Sequence, residues 1–251
     1  MARNIKLTLA YDGHDFAGWQ VQPDRTTIQG TLATALEQIT GERTLPQGSG
    51  RTDAGVHALA QVATVSIESP IPPKNLRKAL NDLLPRSIRI MNVEEVAADF
   101  HARKSALAKT YEYRIYRAQI CPPFLARYVY HHPYPLDEDA MVQAAAVVAG
   151  EHDFTSFAAV DPEIRKDADE ISNVRTIYSS HWNRAPEEFF YTVRGSGFLH
   201  HMVRNLVGTF LMVGKGNLNC KDLRRILDLR DRSAAAATAP ASGLFLVSVE
   251  Y

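Results

Sequence analysis

Ile5-Lys6-Leu7-Thr8-Leu9-Ala10-Tyr11 alternates apolar and polar side chains, and that two-residue period marks a strand with one face buried. Asp12-Gly13 ends it. Working outward, Thr26-Thr27 is positioned to cap a helix whose Ile28, Leu32, Leu36 and Ile39 fall along one side, with Gly41 closing it. Val62 to Ile67 reads as a second strand. Pro72-Pro73 opens another helix, which places Leu76, Ala79, Leu80 and Leu83 on one face and stops at Pro85. Ile88 to Val96 reads as a third strand. Between the first helix and the second strand, Gly50-Arg51-Thr52-Asp53-Ala54-Gly55-Val56-His57-Ala58 has no apolar period and reads as a loop.

The second half repeats the rhythm. Thr110 to Arg117 alternates Tyr111, Tyr113 and Ile115 with Glu112, Arg114 and Tyr116, a strand pattern. Asp137 caps a helix through Met141, Ala144, Ala145 and Val148, ended by Gly150. Val174–Trp182 and Phe189–Val193 form a strand pair. His200–Val213 is a long, very apolar helix suited to the core, Lys221–Leu229 another helix, and Gly243–Tyr251 a closing strand. Ser233–Gly243 is Ala-rich but short, and reads as an ordered connector. Strands interleaved with helices and joined by hairpins predict an α+β fold with a mostly antiparallel central sheet flanked by helices. Each half follows a ferredoxin-like, RNA-recognition type of plan. The expected division is 1–103, carrying the Asp53 loop, and 104–251, carrying the Tyr111 strand and the Arg204 helix.

Composition narrows the class. With 251 residues, 45% of them hydrophobic, the chain can bury an ordinary core. No apolar run approaches the ~20 residues that cross a bilayer, and Met1-Ala2-Arg3-Asn4-Ile5-Lys6 lacks the apolar stretch of a signal peptide, so a cytoplasmic protein is expected. Cys121 and Cys220 stand alone, which argues against a disulfide framework or a cysteine zinc site. The formal net charge is zero, yet the charge is unevenly spread. Residues 101–130 hold six Lys/Arg against one acid, 131–170 hold ten acids against two bases, and 171–232 hold ten bases against five acids. A polyanionic partner requires the basic segments to share a face.

Read alone, Arg51-Thr52-Asp53 between two glycines is an ordinary surface turn in which Asp53 bonds its own backbone or pairs with Arg51. A functional carboxylate needs a pocket and a cation that keeps it ionised and aimed. Arg204 stands among Leu199, Val203, Val207 and Leu211, where a guanidinium is costly unless an acid answers it. Asp53 is the natural candidate, with a structural pair to another acid as the alternative. Tyr113 suits the core, while Tyr111 suits a pocket edge where a ring stacks on a base. His200-His201 suggests a metal, but neighbours on a helix point apart and no third ligand is suitably spaced. Phosphate loops, dinucleotide fingerprints, Gly-x-Ser-x-Gly elbows and His-Glu-x-x-His pairs are absent from the sequence.

The set of motifs resembles the tRNA pseudouridine synthase A family nearly end to end. It runs from Tyr11-Asp12-Gly13 and Phe16-Ala17-Gly18-Trp19-Gln20-Val21-Gln22, through Gly50–Ala58, Phe100-His101-Ala102-Arg103 and Lys109-Thr110-Tyr111-Glu112-Tyr113. It continues with Gly195-Ser196-Gly197-Phe198-Leu199 and Met202-Val203-Arg204, and finishes at Thr238-Ala239-Pro240-Ala241-Ser242-Gly243-Leu244. The Gly50–Ala58 stretch is the most specific of these. The resemblance implies a homodimer whose subunits each have two similar halves around a central cleft. It implies conversion of uridine to pseudouridine at positions 38 to 40 of the tRNA anticodon stem-loop, without metal or organic cofactor, and with neither membrane nor DNA among its partners. By motif position Asp53 takes the essential nucleophile role, Tyr111 contacts the substrate, and Arg51 and Arg204 take the basic positions around the aspartate. Two other readings stand beside it. One is a non-catalytic RNA-binding module on the same fold; the other is an aspartate-nucleophile hydrolase, which needs a second carboxylate that no motif supplies. The charged run Val160–Glu170 matches no family motif. Its acids would repel phosphate, so it is expected to lie away from RNA or to be mobile.

Overall fold

The computed structural model describes residues 2–159 and 172–251. The expectation for residues 160–170 therefore falls outside the described residues. In chain order the elements are β1 (Arg3–Tyr11), α1 (Ile28–Thr40), β2 (Gln47–Gly48), β3 (His57–Ile67), α2 (Pro73–Leu83), β4 (Ile88–Val96), β5 (Ala108–Tyr116), β6 (Tyr130–His131), α3 (Glu138–Val147), β7 (Gly150–Asp153), β8 (Val174–Arg184), β9 (Glu188–Gly195), α4 (Met202–Gly214), α5 (Cys220–Leu229) and β10 (Leu244–Glu250). The fold is α+β with mostly antiparallel strands and five α-helices among the described residues. No helix among them is long and apolar enough to cross a membrane.

The chain forms two compact units. Met1–Lys109 with Phe245–Tyr251 make the first, so the closing strand returns to the half where the chain began, and Thr110–Leu244 make the second. In the first unit β1 lies between β3 and β4, antiparallel to both. β10 runs parallel to β3, pairing Phe245 with His57 and Leu246 with Ala58, and β2 covers part of β3. The alternation of β1 buries Ile5, Leu7, Leu9 and Tyr11. Ile28, Leu32 and Leu36 of α1 and Leu76 and Leu80 of α2 are buried as well, so both amphipathic helices spend their apolar stripe in the core. Thr27 caps α1 through its side chain, and Gly41 ends it in the left-handed conformation. The β1–β3 register shifts between Leu9 and Tyr11, where β1 runs into its turn; such irregularities bend a strand and re-aim its last side chain.

In the second unit β9 lies between β5 and β8, β7 extends the far side of β8, and β6 pairs in parallel with β5. α4 is buried on nearly every face, as its apolar sequence requires, and packs against α3. Trp182, Phe189, Tyr191 and Phe210 form the aromatic core of this unit; Trp182 stacks on Phe189 at 4.4 Å and Tyr191 meets Phe210 edge-on at 5.1 Å. Helix α4 begins at Met202, two residues later than its apolar run suggests, because His201 takes a left-handed conformation (φ 60°) at the cap. The two histidines therefore precede the helix, and their rings lie 4.0 Å apart instead of diverging.

Candidate active site

The stretch Gly50–Val56 is irregular backbone, but it is held at almost every residue. Trp19 N–H donates to the Thr52 carbonyl at 3.0 Å, and Val56 N–H closes a tight turn on the Asp53 carbonyl at 3.1 Å. Gly55 sits at φ +78°, which an L side chain rarely adopts, and so the second glycine of the motif makes the turn. Two glycines from the preceding turn let the backbones touch. A Cβ on Gly13 would lie 1.9 Å from the Val56 carbonyl oxygen, and one on Gly18 would lie 2.6 Å from that of Thr52. Only hydrogen fits at either place. The Tyr11-Asp12-Gly13 and Gly18-Trp19 segments are thus the bed on which the Asp53 loop lies.

Beneath the loop runs a buried polar chain. The Tyr11 hydroxyl shares a 2.8 Å hydrogen bond with Thr52 Oγ1. Gln61 Nε2 donates to the Gly50 carbonyl at 3.0 Å and reaches the Tyr11 oxygen at 3.4 Å, while Ser49 Oγ donates to Gln61 Oε1 at 2.7 Å. Lys109 Nζ donates to the Ser49 carbonyl at 2.5 Å. Tyr11, Ser49, Thr52 and Gln61 are all buried, so each bond forms where an unmade one is expensive. Burial pushes the Tyr11 hydroxyl up to about 12, against the smaller opposing effect of its bonds to Thr52 and Gln61. His57 closes the stretch. It is buried, stacks on Phe245 at 4.8 Å, and holds Nδ1 3.1 Å from the Gly13 nitrogen and 3.2 Å from Asp12 Oδ1. Its backbone already belongs to β3, so the last two residues of the motif are strand.

With its neighbours so fixed, the loop presents Asp53 half-buried and Arg51 exposed. The sequence singles out these two residues but not the frame of Tyr11, Ser49 and Gln61 beneath them. The available signal was Gln61, a polar side chain within the apolar run around β3.

Tyr111 and Arg204 belong to the second unit. Tyr111 is 7% exposed, with its ring edge-on to Phe198 at 5.0 Å. Tyr113 is a core residue, as its position in the alternation suggests, and its hydroxyl donates to the Pro240 carbonyl at 2.8 Å. Burial raises the Tyr113 hydroxyl strongly, and the Arg204 charge works the other way. Arg204 is half-buried on the first turn of α4 rather than sealed among its apolar neighbours. Its Nε donates to the Ala239 carbonyl at 2.8 Å, and Ala239 N–H donates back to the Arg204 carbonyl at 3.1 Å.

This α+β chain is of the pseudouridine synthase class of isomerases. The chain belongs to the tRNA pseudouridine synthase family, whose family model matches residues 8–103 and 144–251. It is 57% identical to the tRNA pseudouridine synthase A of Solibacter usitatus (strain Ellin6076) over 250 residues, covering 99% of this chain and 100% of that protein. It is 46% identical to the protein of the same name from Brevibacillus brevis (strain 47 / JCM 6285 / NBRC 100599), with 99% and 100% covered. Among solved structures, "Crystal Structure of a Cbf5-Nop10-Gar1 Complex" is matched at 12% identity and a TM-score of 0.36, covering 96% of this chain and 57% of that one.

Proposed function

We propose that this protein isomerises uridine to pseudouridine in tRNA, at positions 38 to 40 of the anticodon stem-loop, with Asp53 as the nucleophile. The observation that carries the reading is the Asp53 loop. Thr52 and the peptide groups around Asp53 are spent on internal hydrogen bonds, and the carboxylate stays half-buried on a rigid support. Preorganisation of this kind is what a nucleophile needs, because a group already in position has little to lose on the way to the transition state. A carboxylate serving only a surface turn needs no buried frame.

The reaction breaks the N1–C1′ glycosidic bond, turns the uracil, and joins C5 to C1′. The proton released from C5 is balanced by one gained at N1, so no atoms or electrons are exchanged with a partner. Asp53 holds the detached intermediate. Tyr111 contacts the uracil and relays the C5 proton. Arg51 and Arg204 supply positive charge around the aspartate. The target nucleotide leaves its stack at a cost of a few kcal/mol, which contacts to neighbouring phosphates offset. The working form in this reading is a cytoplasmic homodimer.

The test is Asp53→Asn, which keeps shape and removes the charge. Pseudouridine formation in a tRNA transcript, followed by tritium release from 5-labelled uridine, is expected to fall by several orders of magnitude. Thermal unfolding and tRNA affinity are expected to stay close to those of the unaltered protein. Tritium release at the unaltered rate would remove Asp53 from the nucleophile role. RNA binding by the unaltered protein without any product would favour a binding module instead.

A further inference from the structure

A second feature of the first unit adjoins the Asp53 loop and shares Arg51 with it. Beside the end of β2 lies an open pocket of about 540 Å³, lined by Gln47, Gly48 and Arg51 together with His101, Arg103 and Lys104. That volume is ample for a single nucleotide. Three cations line the pocket and no carboxylate does. Elsewhere in this unit Arg3, Lys6 and Arg43 are neutralised by Glu95, Glu94 and Glu37, each within 3.0 Å. Arg103 and Lys104 are exposed and have no acidic partner among the described residues.

The turn that carries them is rigid. His101 Nδ1 accepts the Arg103 N–H at 3.0 Å and, more weakly, the Lys104 N–H at 3.4 Å. His101 N–H donates to Ser105 Oγ, Ser105 N–H returns to the His101 carbonyl at 2.9 Å, and the Tyr251 hydroxyl bonds the Ala102 carbonyl at 2.8 Å. Because Nδ1 is an acceptor, the ring proton sits on Nε2, a further donor. At Gly48, also in the lining, a Cβ would come within 2.6 Å of the Trp19 ring, so the wall there is bare backbone. A fixed turn with two unneutralised cations in a pocket whose lining holds no acid is built for an anion, and binding it costs little ordering.

We propose that this pocket binds a phosphodiester of the RNA strand, on a nucleotide other than the reacting uridine, with Arg103 and Lys104 as the phosphate ligands. The proposal rests on the reading of an RNA substrate given above. A phosphate contact fixes register without reading sequence, and the site would hold the strand beside the segment that leads from Gly50 and Arg51 into the Asp53 loop.

The test is equilibrium binding of tRNA transcripts to the full-length protein across a salt series, for the unaltered protein, Arg103→Gln, Lys104→Gln and the double variant. Each single change is expected to weaken binding about tenfold. Each should also flatten the slope of log K against log salt by about 0.7 to 1, the double variant by about twice that. The loss should be the same for tRNAs of different sequence, and Arg103→Lys should restore most of the slope. An unchanged slope in the double variant overturns the proposal, and so does a loss confined to one tRNA sequence, which would mean base reading. Pseudouridine assayed with the same preparations separates the two readings. A flattened slope with no product from the unaltered protein sinks the uridine reading and leaves the pocket; product with an unchanged slope does the reverse.

Discussion

The Tyr11 hydroxyl bridges the end of β1 to the Asp53 loop through Thr52 Oγ1, with Gln61 behind both. Tyr11→Phe removes one oxygen and leaves the ring in place, so the change isolates that bridge. The Thr52 hydroxyl, 6% exposed, would lose its bond without gaining water, at a cost of about 1–2 kcal/mol. The expected result is a urea midpoint lowered by that amount at constant m-value, with a fall in kcat larger than any change in KM. Lost stability with kcat intact would show that the bridge props the sheet and does nothing for the loop. The sequence makes Asp53 visible through its two glycines and its place in a motif series. It leaves the role of Tyr11 hidden, although Tyr11 opens that series, because the last residue of an alternating strand reads as one more apolar position, and a hydroxyl bonded to a loop residue far along the chain leaves no periodic trace. Arg204 was legible in part: its apolar neighbours flag it, but its actual half-exposure and its bond to Ala239 depend on how the connector lies on α4.

That connector, residues 233–243, is held as an element. Arg232 donates to the carbonyls of Ala235 and Ala236 and to Asn205 Oδ1 and Thr238 Oγ1, and Ala239 exchanges two bonds with Arg204. The order expected of this Ala-rich stretch is therefore present, and its cause is hydrogen bonding to α4, with Ala239 alone of its alanines buried. Gly208 makes the approach possible, since a Cβ there would lie 2.0 Å from the Ala237 carbonyl oxygen. Gly→Ala inside a helix ordinarily stabilises by about 1 kcal/mol. Here the sign should reverse: Gly208→Ala is expected to destabilise by about 1–3 kcal/mol and to lower activity through Arg204, as read by chemical unfolding and the tritium-release assay. A more stable, fully active variant would mean that the connector yields. Long elements were legible because their periods run for several turns or pairs; β4 and the α2 boundaries follow directly from Pro and apolar spacing. The two-residue strands β2 and β6 and the four-residue β7 were not, because a two-residue period needs more positions than they have. β3 begins at His57, ahead of the apolar run starting at Val62, because pairing with β10 and burial of His57 and Ala58 extend it into the motif.

Across both units, buried tyrosines tie the stability of the whole molecule to alkaline pH. Tyr11 in the first unit and Tyr113 and Tyr191 in the second are each at most 4% exposed, and burial raises the hydroxyl of every one. For Tyr11 the native value is about 12 against an ordinary 10.0. The unfolded chain thus loses these protons first. Above about pH 10 the unfolded state binds fewer protons than the native state, so the stability of the native state falls as pH rises. Each such tyrosine steepens the fall by up to about 1.4 kcal/mol per pH unit, until its native hydroxyl also ionises; for Tyr11 that ends the window near pH 12. Urea midpoints measured from neutral pH upward should stay level with respect to these groups until about pH 10 and then drop steeply. The share of tyrosinate absorbance that comes from these buried rings should rise in step with unfolding rather than ahead of it. Tyr11→Phe removes one such contribution and should make the drop shallower although the variant starts from lower stability, which separates the alkaline linkage from the loss of the hydrogen bond itself. A drop equally steep in the variant would mean that the hydroxyl of Tyr11 ionises in the native protein as readily as in the unfolded chain, and that the frame under the Asp53 loop is open to water.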